Sequence, residues 1–342
     1  MDDIQVRQLL INRPEDLVSE LLEGYCRVWE RFIVLSKEQF VTRREPKQAG
    51  KVALVIGNGL GHEPAMLGLV GKGLFDLNVP GDLFAAPGAG RLAVGARVAD
   101  RRAGVLLCVS NHSGDVLAAE MALELLPEGS PEVRVLRLFD DISTSPTHNQ
   151  ERRGGPGLLF AWKILGAAAE AGYGLEQCED LGIRTRGRIR SLSAVLAGTR
   201  NPLNGQAVSP VPAGSVLVGT GVHGEGTGIT LEGPSADELA IHLVERLARD
   251  LGLKRGDRCG LLLNDAGALS IVELSLLGRR ALSWLSGEGI VVERTWMGRY
   301  ATTLATAGVG MALCAFDDEL LDLWDAPCES PSLASQGNGP VG

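Results

Sequence analysis

The stretch Lys51-Val-Ala-Leu-Val-Ile-Gly-Asn-Gly-Leu-Gly-His-Glu-Pro64 gives the strongest indication of how this chain folds. Its first half is an apolar run rich in β-branched residues, which is typical of a buried strand of an α/β fold. The run leads into a loop with Gly57, Gly59, Gly61 and then His62. Glycines there allow the backbone to approach a ligand closely, and His62 adds a titratable group. Such turns also occur simply where a helix packs closely on a sheet, so this loop alone leaves both roles open.

The glycine loop does not match the two common nucleotide-binding motifs. A P-loop requires G-x-x-x-x-G-K-[ST], and no Lys-Ser or Lys-Thr pair follows these glycines. The dinucleotide-binding fingerprint requires G-x-G-x-x-G, whereas this loop reads G-x-G-x-G-H. We therefore do not expect the loop to bind a dinucleotide or a nucleoside triphosphate.

The composition favours a globular protein whose partners are small molecules or proteins. The chain of 342 residues is long enough for two domains, and its 45% apolar and 22% charged residues are ordinary proportions. The net charge of -9 disfavours nucleic acid and anionic membrane surfaces as main partners, because both are negatively charged. No run approaches the roughly 20 apolar residues of a membrane span. The acidic N-terminus lacks the apolar segment of a secretory signal.

The cysteines predict a reducing compartment. None of the six belongs to a C-x-x-C pair, and Cys108 and Cys314 lie inside apolar, strand-like runs. The full set is Cys26, Cys108, Cys178, Cys259, Cys314 and Cys328. We expect buried free thiols rather than a disulfide or zinc framework, and a cytoplasmic location.

Strand-like and helix-like segments alternate along the chain, which predicts a layered α/β architecture. We expect two α/β domains, at 1–186 and 187–328, each with a mostly parallel or mixed sheet flanked by helices. The tail at 329–342 is rich in Ser, Gly and Pro and is predicted to be disordered. Predicted strands lie at 52–56, 105–109, 133–138, 215–218, 258–263, 290–294 and 311–316. Predicted helices lie at 15–36, after Pro64, and at 115–126, 158–171, 235–251, 270–286 and 317–324.

A second strand-to-helix loop carries Asp115. This residue directly precedes a helix-like segment, which is typical of an N-cap. Helices that follow parallel strands begin at the carboxyl edge of the sheet, where ligands of doubly wound folds bind. Asp115 could therefore cap the helix and still face a pocket formed with the first loop. His112 in the same loop is ambiguous.

A third loop places His223 among glycines after a short strand-like run. A histidine in a protein core normally has bulky apolar neighbours, whereas His223 lies close to Gly221 and Gly224. This pattern favours a functional role over a structural one. The loops at 264–267 and 297–303 also follow predicted strands and are typical of pocket or interface loops.

Six segments of the chain form an ordered pattern. They are Gly57–Pro64, Gly68–Gly73, Gly81–Pro87, Ser110–Asp115, Gly221–Glu225 and Asp317–Pro327. The first is close to Gly-Gly-Gly-Ser-Gly-His-Glu-Pro, and the fifth is close to Gly-Ile-His-Gly-Glu. In this order the segments resemble the dihydroxyacetone kinase family, specifically its ketone-binding subunit. The resemblance extends from the N-terminal helix to about residue 328.

The resemblance implies a chemical role for three residues. His223 would attack a ketone carbonyl and hold the substrate as a covalent hemiaminal, and His62 would hydrogen-bond the substrate and assist proton movement. Asp115 would act as the base on the hydroxyl that receives the phosphoryl group. The implied substrate-binding residues are Gly59, Leu60, Gly61, His62, Ser110 and Asp115. No metal ligand is implied.

The resemblance also implies partners. This chain would bind no cofactor itself, because the family places the nucleotide on a separate all-helical subunit or domain. That partner would carry ATP, or ADP with Mg²⁺ that a phosphotransferase-system protein rephosphorylates. The ketone-binding subunit would form a homodimer.

Several positions depart from the family pattern. The family has lysine, tyrosine, serine and serine where this chain has Ser110, His112, Leu60 and Ala86. Several polar contacts to a three-carbon ketone would be lost, which favours another hydroxyketone such as the four-carbon ketose erythrulose. Two alternatives remain open. One is a non-catalytic, ketone-binding regulator of transcription, and the other is a ketose isomerase in which His62 and Asp115 move protons.

Overall fold

A computed structural model of the chain describes residues 9–47, 49–145, 151–226 and 228–336. Its α-helices are α1 (Leu17–Val28), α2 (Ala89–Ala99), α3 (Ser113–Glu124), α4 (Leu158–Ala171), α5 (Leu175–Gly187), α6 (Ala236–Leu251), α7 (Ile271–Gly287) and α8 (Asp318–Asp325). The strands of the N-terminal half are β1 (Ile33–Leu35), β2 (Val41–Arg43), β3 (Ala53–Leu60), β4 (Leu77–Leu83), β5 (Val105–Ser110) and β6 (Val133–Leu138). Those that follow are β7 (Ile189–Ala197), β8 (Thr199–Arg200), β9 (Ala207–Val208), β10 (Ser215–Val218), β11 (Ile229–Glu232), β12 (Arg258–Asp265), β13 (Val291–Gly298), β14 (Ala307–Ala315), β15 (Cys328–Glu329) and β16 (Ala334–Ser335).

The first sheet contains six strands in the order β1-β2-β4-β3-β5-β6. Strands β4, β3, β5 and β6 are parallel, whereas β1 and β2 add an antiparallel edge. Strand β3 is buried on both faces. Leu54 and Ile56 belong to the core on the α4 side, and Val55 belongs to the core under α2 and α3. This double burial explains why β3 is a continuous apolar run in the sequence.

The second sheet has the order β11-β10-β7-β14-β12-β13 and is antiparallel except for the β12–β13 pair. Helices α6 and α7 pack on it and share its apolar core. Each of these helices begins with a capping box, Ser235 with Glu238 and Ser270 with Glu273. Two mixed sheets flanked by helices confirm the predicted fold class.

Helix α4 lies between the two sheets. Nearly all of its residues are buried, and it packs against both β3 and β7. The core around it includes Leu106 from the first sheet and Ala312 from the second. The predicted division between residues 186 and 187 falls at the end of α5, before the first strand of the second sheet. Because the sheets share a core, the division into two domains stays a prediction.

The segment after α8 shows that the prediction of a disordered tail is wrong for residues 329–336. Strand β15 pairs with β16, and the backbones of Glu329 and Lys72 exchange two hydrogen bonds of 2.9 Å. A Cβ on Gly71 would overlap the Glu329 carbonyl oxygen, so a glycine permits this contact. Residues 337–342 lie outside the described residues.

The helix predicted after Pro64 is also wrong, because only a short 3₁₀ turn forms there, at Leu67–Leu69. The predicted helix at 15–36 ends early, since α1 stops at Val28 and β1 follows. Helices α2 and α5 are additions to the predicted elements, as are strands β1, β2, β4, β7, β8, β9, β11, β15 and β16. All six cysteines are buried free thiols, as predicted. In the described part of the chain, every helix is too short or too polar to cross a membrane.

Candidate active site

A cavity of about 430 Å³ lies where the loops after β3, β5 and β10 meet. Five of the residues predicted from the sequence line it together, namely Gly59, His62, Ser110, Asp115 and His223. Residues of β7, β14 and the segments 153–156 and 301–306 complete the wall. The cavity therefore combines loops of the first sheet with a loop of the second.

His62 is held rigidly at the end of β3. Gly61 before it has a φ of 101°, a conformation that glycine adopts readily. The His62 carbonyl accepts a hydrogen bond of 3.0 Å from the Thr302 N–H, and His62 Nδ1 lies 2.8 Å from the Thr302 carbonyl oxygen. A carbonyl can only accept, so Nδ1 carries the proton and Nε2 has the free lone pair. Burial and the neighbouring His223 lower the pKa of His62 to about 4, so the ring is neutral at pH 7.

His223 reaches this position from the loop between β10 and β11. Its Nε2 lies 3.0 Å from Nε2 of His62. Because the proton of His62 is on Nδ1, the proton between the two Nε2 atoms belongs to His223. The Thr303 hydroxyl donates to the Val222 carbonyl at 2.7 Å and so ties the glycine-rich loop to the same segment that anchors His62. Burial lowers the pKa of His223, while Glu225 opposes this effect.

Glu225 and His112 stand beside His223. The backbone N–H of His223 donates to the Glu225 carboxylate at 2.8 Å. The rings of His112 and His223 have centroids 5.3 Å apart, and His112 Nε2 lies 3.1 Å from the Gly154 carbonyl oxygen. Arg153 pairs with Glu225 at 3.3 Å. The sequence left His112 ambiguous and singled out neither Glu225 nor Arg153, although Glu225 lies within the quoted Gly221–Glu225 segment.

Asp115 lies in the first turn of α3, but it is not the N-cap that the sequence predicted. The N-cap position is occupied by His112, because the helix begins at Ser113. The Asp115 carboxylate is partly buried, and its Oδ1 makes no hydrogen bond with the described residues. Burial raises its pKa from 3.8 to about 7. A carboxylate with a raised pKa and an unused oxygen is suited to accept a proton from a bound hydroxyl.

Leu60 and Gly61 are not among the residues that line the cavity, and their role in contacting the substrate stays a prediction. The Leu60 side chain is fully buried and belongs to the core on the α4 side, beyond a register irregularity that separates it from Asn58. The Gly61 N–H donates to the Glu63 carboxylate at 3.1 Å. The other three positions that depart from the family pattern, Ala86, Ser110 and His112, do line the cavity.

Comparison with known proteins identifies the family. A model described as the Dak1 domain matches residues 23–332. The chain belongs to the Dak1 family. This confirms the predicted resemblance to the ketone-binding part of the dihydroxyacetone kinase family.

Individual relatives of this Dak1 chain cover most of its length. It is 34% identical to the dihydroxyacetone-binding subunit DhaK of PTS-dependent dihydroxyacetone kinase 1 from Listeria innocua, over 91% of this chain and 94% of that one. It is 36% identical to an L-erythrulose kinase from Pectobacterium atrosepticum, over 97% of this chain but 57% of the relative. Among solved structures, the dihydroxyacetone kinase operon co-activator Dha-DhaQ superposes with a TM-score of 0.86 at 25% identity, over 92% of this chain and 98% of that one.

Proposed function

We propose that this chain is the ketone-binding subunit of a dihydroxyacetone-type kinase. It holds a short hydroxyketone as a hemiaminal on His223 while a separate nucleotide-bearing subunit supplies the phosphoryl group. The observation that carries this proposal is the 3.0 Å pairing of His223 with His62 in a cavity that Asp115 also lines. A nucleophile, a hydrogen-bonding partner and a base are thereby available to one small molecule.

Attack by His223 requires a change of tautomer. Without substrate, its proton is on Nε2, the atom that faces His62. The reactive form has the proton on Nδ1, which faces the Glu225 carboxylate at 3.8 Å, and a lone pair on Nε2. Closing this gap to hydrogen-bond length would orient the ring for attack, as a carboxylate does for a catalytic histidine in other enzymes.

The hemiaminal forms by nucleophilic addition to the ketone. The Nε2 lone pair of His223 forms a bond to the carbonyl carbon as the carbon–oxygen π bond opens. Nδ1 releases its proton to Glu225, which returns it to solvent, and the former carbonyl oxygen takes one proton from solvent. The product is a neutral hemiaminal. The free lone pair on Nε2 of His62 accepts a hydrogen bond from a hydroxyl of this adduct.

Phosphoryl transfer is the task of Asp115. The covalent bond to His223 fixes the terminal hydroxyl of the ketone, so that positioning supplies much of the reduction in the barrier. The unused oxygen of Asp115 accepts the proton of that hydroxyl as it attacks the phosphoryl group. ATP, or ADP with Mg²⁺, belongs to the partner subunit. The region that this chain matches makes up 57% of the L-erythrulose kinase, which supports a phosphoryl-donating component outside the Dak1 domain.

The preferred substrate in this proposal is a four-carbon ketose such as erythrulose, with dihydroxyacetone as the smaller option. Ala86 and Ser110 place small side chains on the wall where the family pattern has serine and lysine. The similarity to an L-erythrulose kinase supports the same choice. Homodimerisation and a cytoplasmic location remain part of the proposal.

A second candidate is a ketone-binding co-activator without turnover. The superposition on a co-activator over nearly its whole length favours it. It needs the histidines but gives no role to the unpartnered oxygen of Asp115, so we prefer the kinase.

The two candidates separate in one experiment. The chain is mixed with a nucleotide-bearing subunit of a dihydroxyacetone kinase, ATP, Mg²⁺ and either L-erythrulose or dihydroxyacetone. Sugar phosphate is measured alongside the mass of the intact chain. The kinase proposal predicts phosphorylation that Asp115→Asn abolishes while the mass of the ketone adduct is kept. Adduct formation without sugar phosphate in the wild type would favour the co-activator, and full turnover by Asp115→Asn would refute the assignment of the base.

A further inference from the structure

Three hydrogen-bond acceptors face one another beside His223. The Gly154 carbonyl fixes the proton of neutral His112 on Nε2, so its Nδ1 has a bare lone pair 3.8 Å from Glu225 Oε1. His62 fixes the proton of His223 on Nε2, so Nδ1 of His223 is also bare, 3.8 Å from Glu225 Oε2. Glu225 Oε1 makes no hydrogen bond with the described residues, although Arg153 forms an ion pair with it. Glu225 Oε2 already accepts from the backbone N–H of His223, so the two bare Nδ1 atoms and Oε1 are the acceptors with which a cation at their centre would pair.

We propose that His112, His223 and Glu225 form a binding site for a divalent transition metal such as Zn²⁺. Two imidazoles and one carboxylate are a common ligand set for zinc, with a fourth position left for water or substrate. The three ligand atoms lie within 4.8 Å of one another. Tetrahedral zinc with bonds of about 2.0–2.1 Å separates its ligands by about 3.4 Å, so shifts of the order of an ångström close the site.

The surroundings of the ligands are those of a supported site. Ligating histidines usually donate their second N–H to a carbonyl or another acceptor, which fixes the ring for the metal. His112 donates to the Gly154 carbonyl and His223 donates to His62. The sequence predicted no metal site, because the loops that carry His112 and Glu225 are far apart in the chain.

A metal at this site also blocks ketone attachment, a consequence that rests on the proposed function. Coordination occupies Nδ1 of His223 and keeps its proton on Nε2, so no lone pair is available to attack a carbonyl. Zn²⁺ would therefore act as an inhibitor that holds His223 in its unreactive tautomer.

The test is a titration of the full chain with Co²⁺, which reports its coordination through visible absorption, followed by displacement with Zn²⁺. We expect one Co²⁺ per chain and weakening of binding by about tenfold or more in both His112→Tyr and Glu225→Gln. His242→Gln, a histidine on α6 outside the cavity, should bind as the wild type does. Co²⁺ binding unchanged in His112→Tyr and Glu225→Gln would overturn the site.

Histidine ¹⁵N spectra of the wild-type chain provide a test that does not depend on the folding of variants. One equivalent of Zn²⁺ should shift Nδ1 of His112 and His223 and leave Nδ1 of His62 in place. Absence of these shifts would overturn the metal site. If the shifts occur but no ketone adduct ever forms, the metal site stands and the proposed function fails.

Discussion

Replacing Asp115 with asparagine should stabilise the protein while it removes phosphoryl transfer. The wild-type carboxylate is partly buried, and its Oδ1 makes no hydrogen bond with the described residues. Burial raises its pKa from 3.8 to about 7, so ionisation of this carboxyl destabilises the folded state. Asparagine has nearly the same shape and no charge. Asp115 therefore serves activity and lowers the stability of the folded protein.

The size of the stabilisation by Asp115→Asn follows from the shift in the pKa of Asp115. A rise from 3.8 to about 7 corresponds to about 4 kcal/mol at pH 8. We reduce this to about 2 kcal/mol, because the side chain keeps some contact with solvent. The position in the first turn of α3 favours a negative charge by up to about 1 kcal/mol. The expected gain from Asp115→Asn at pH 8 is therefore about 1–2 kcal/mol.

The gain in the free energy of unfolding from Asp115→Asn should increase as the pH rises. Below pH 3.8 the carboxyl is protonated in both the folded and unfolded states, so its burial costs nothing. As the pH rises from 3.8 to about 7, the unfolded state loses its proton first, and the wild type loses stability until the folded pKa is passed. Above pH 7 the advantage of the asparagine variant is constant.

Urea unfolding of both proteins at pH 5 and pH 8 measures this difference. Glu120→Gln, an exposed acidic residue on the same helix, serves as the control for loss of one charge. The free energy of unfolding should favour Asp115→Asn more at pH 8 than at pH 5, and Glu120→Gln should show little pH-dependent change. A destabilised Asp115→Asn, or a difference equal at the two pH values, would refute the reasoning.

Three further predictions concern the cavity and the core beneath it. Leu60→Ser should lower the free energy of unfolding, measured in urea, by about 3 kcal/mol or more, because a fully buried side chain is lost. The folded fraction should keep its affinity for the ketone. A large loss of affinity without loss of stability would instead place Leu60 in the substrate site. Glu225→Gln should slow adduct formation by about 100-fold in time-resolved intact-mass spectra, since it removes the acceptor for the Nδ1 proton of His223, and an unchanged rate would exclude that role. Ala86→Ser should raise kcat/KM for dihydroxyacetone relative to L-erythrulose by restoring a hydroxyl to the wall, whereas a shift toward L-erythrulose would contradict the assignment of this wall.

Sequence patterns predicted the interior of the fold better than its edges. Strand β3 is buried on both faces, so its apolar run is long and clear. Strand β1 is also apolar, but it is only three residues long and was predicted as part of a helix over 15–36. The sequence of a short segment predicts a strand poorly when pairing with a neighbouring strand is what stabilises it.

Two wrong predictions have one physical cause. The segment after Pro64 and the tail after Pro327 are stabilised by each other, through the backbone hydrogen bonds between Lys72 and Glu329 and between Gly68 and Ser332. Gly68 and Gly71 allow the close approach. Since neither segment has a strong preference by itself, their pairing across the whole chain was not visible in the sequence.

The candidate site was predictable as a set of loops but not as a cluster of rings. Strand ends and glycines predicted the positions of His62, Asp115 and His223. Only the fold places His112 against His223, because that contact joins loops of different sheets, whereas Glu225 contacts His223 within one loop. The inward or outward direction of Leu60 also required the strand register.

Covalent attachment of a ketone to His223 is tested most directly by NMR of dihydroxyacetone or L-erythrulose labelled with ¹³C at the carbonyl carbon. On binding to chain labelled with ¹⁵N-histidine, the labelled carbon should move from the carbonyl region to that of a tetrahedral carbon and couple to a ring nitrogen. His223→Gln should leave the free carbonyl signal unchanged. A bound ketone that keeps its carbonyl signal in the wild type, or a tetrahedral adduct that persists in His223→Gln, would contradict the proposed chemistry.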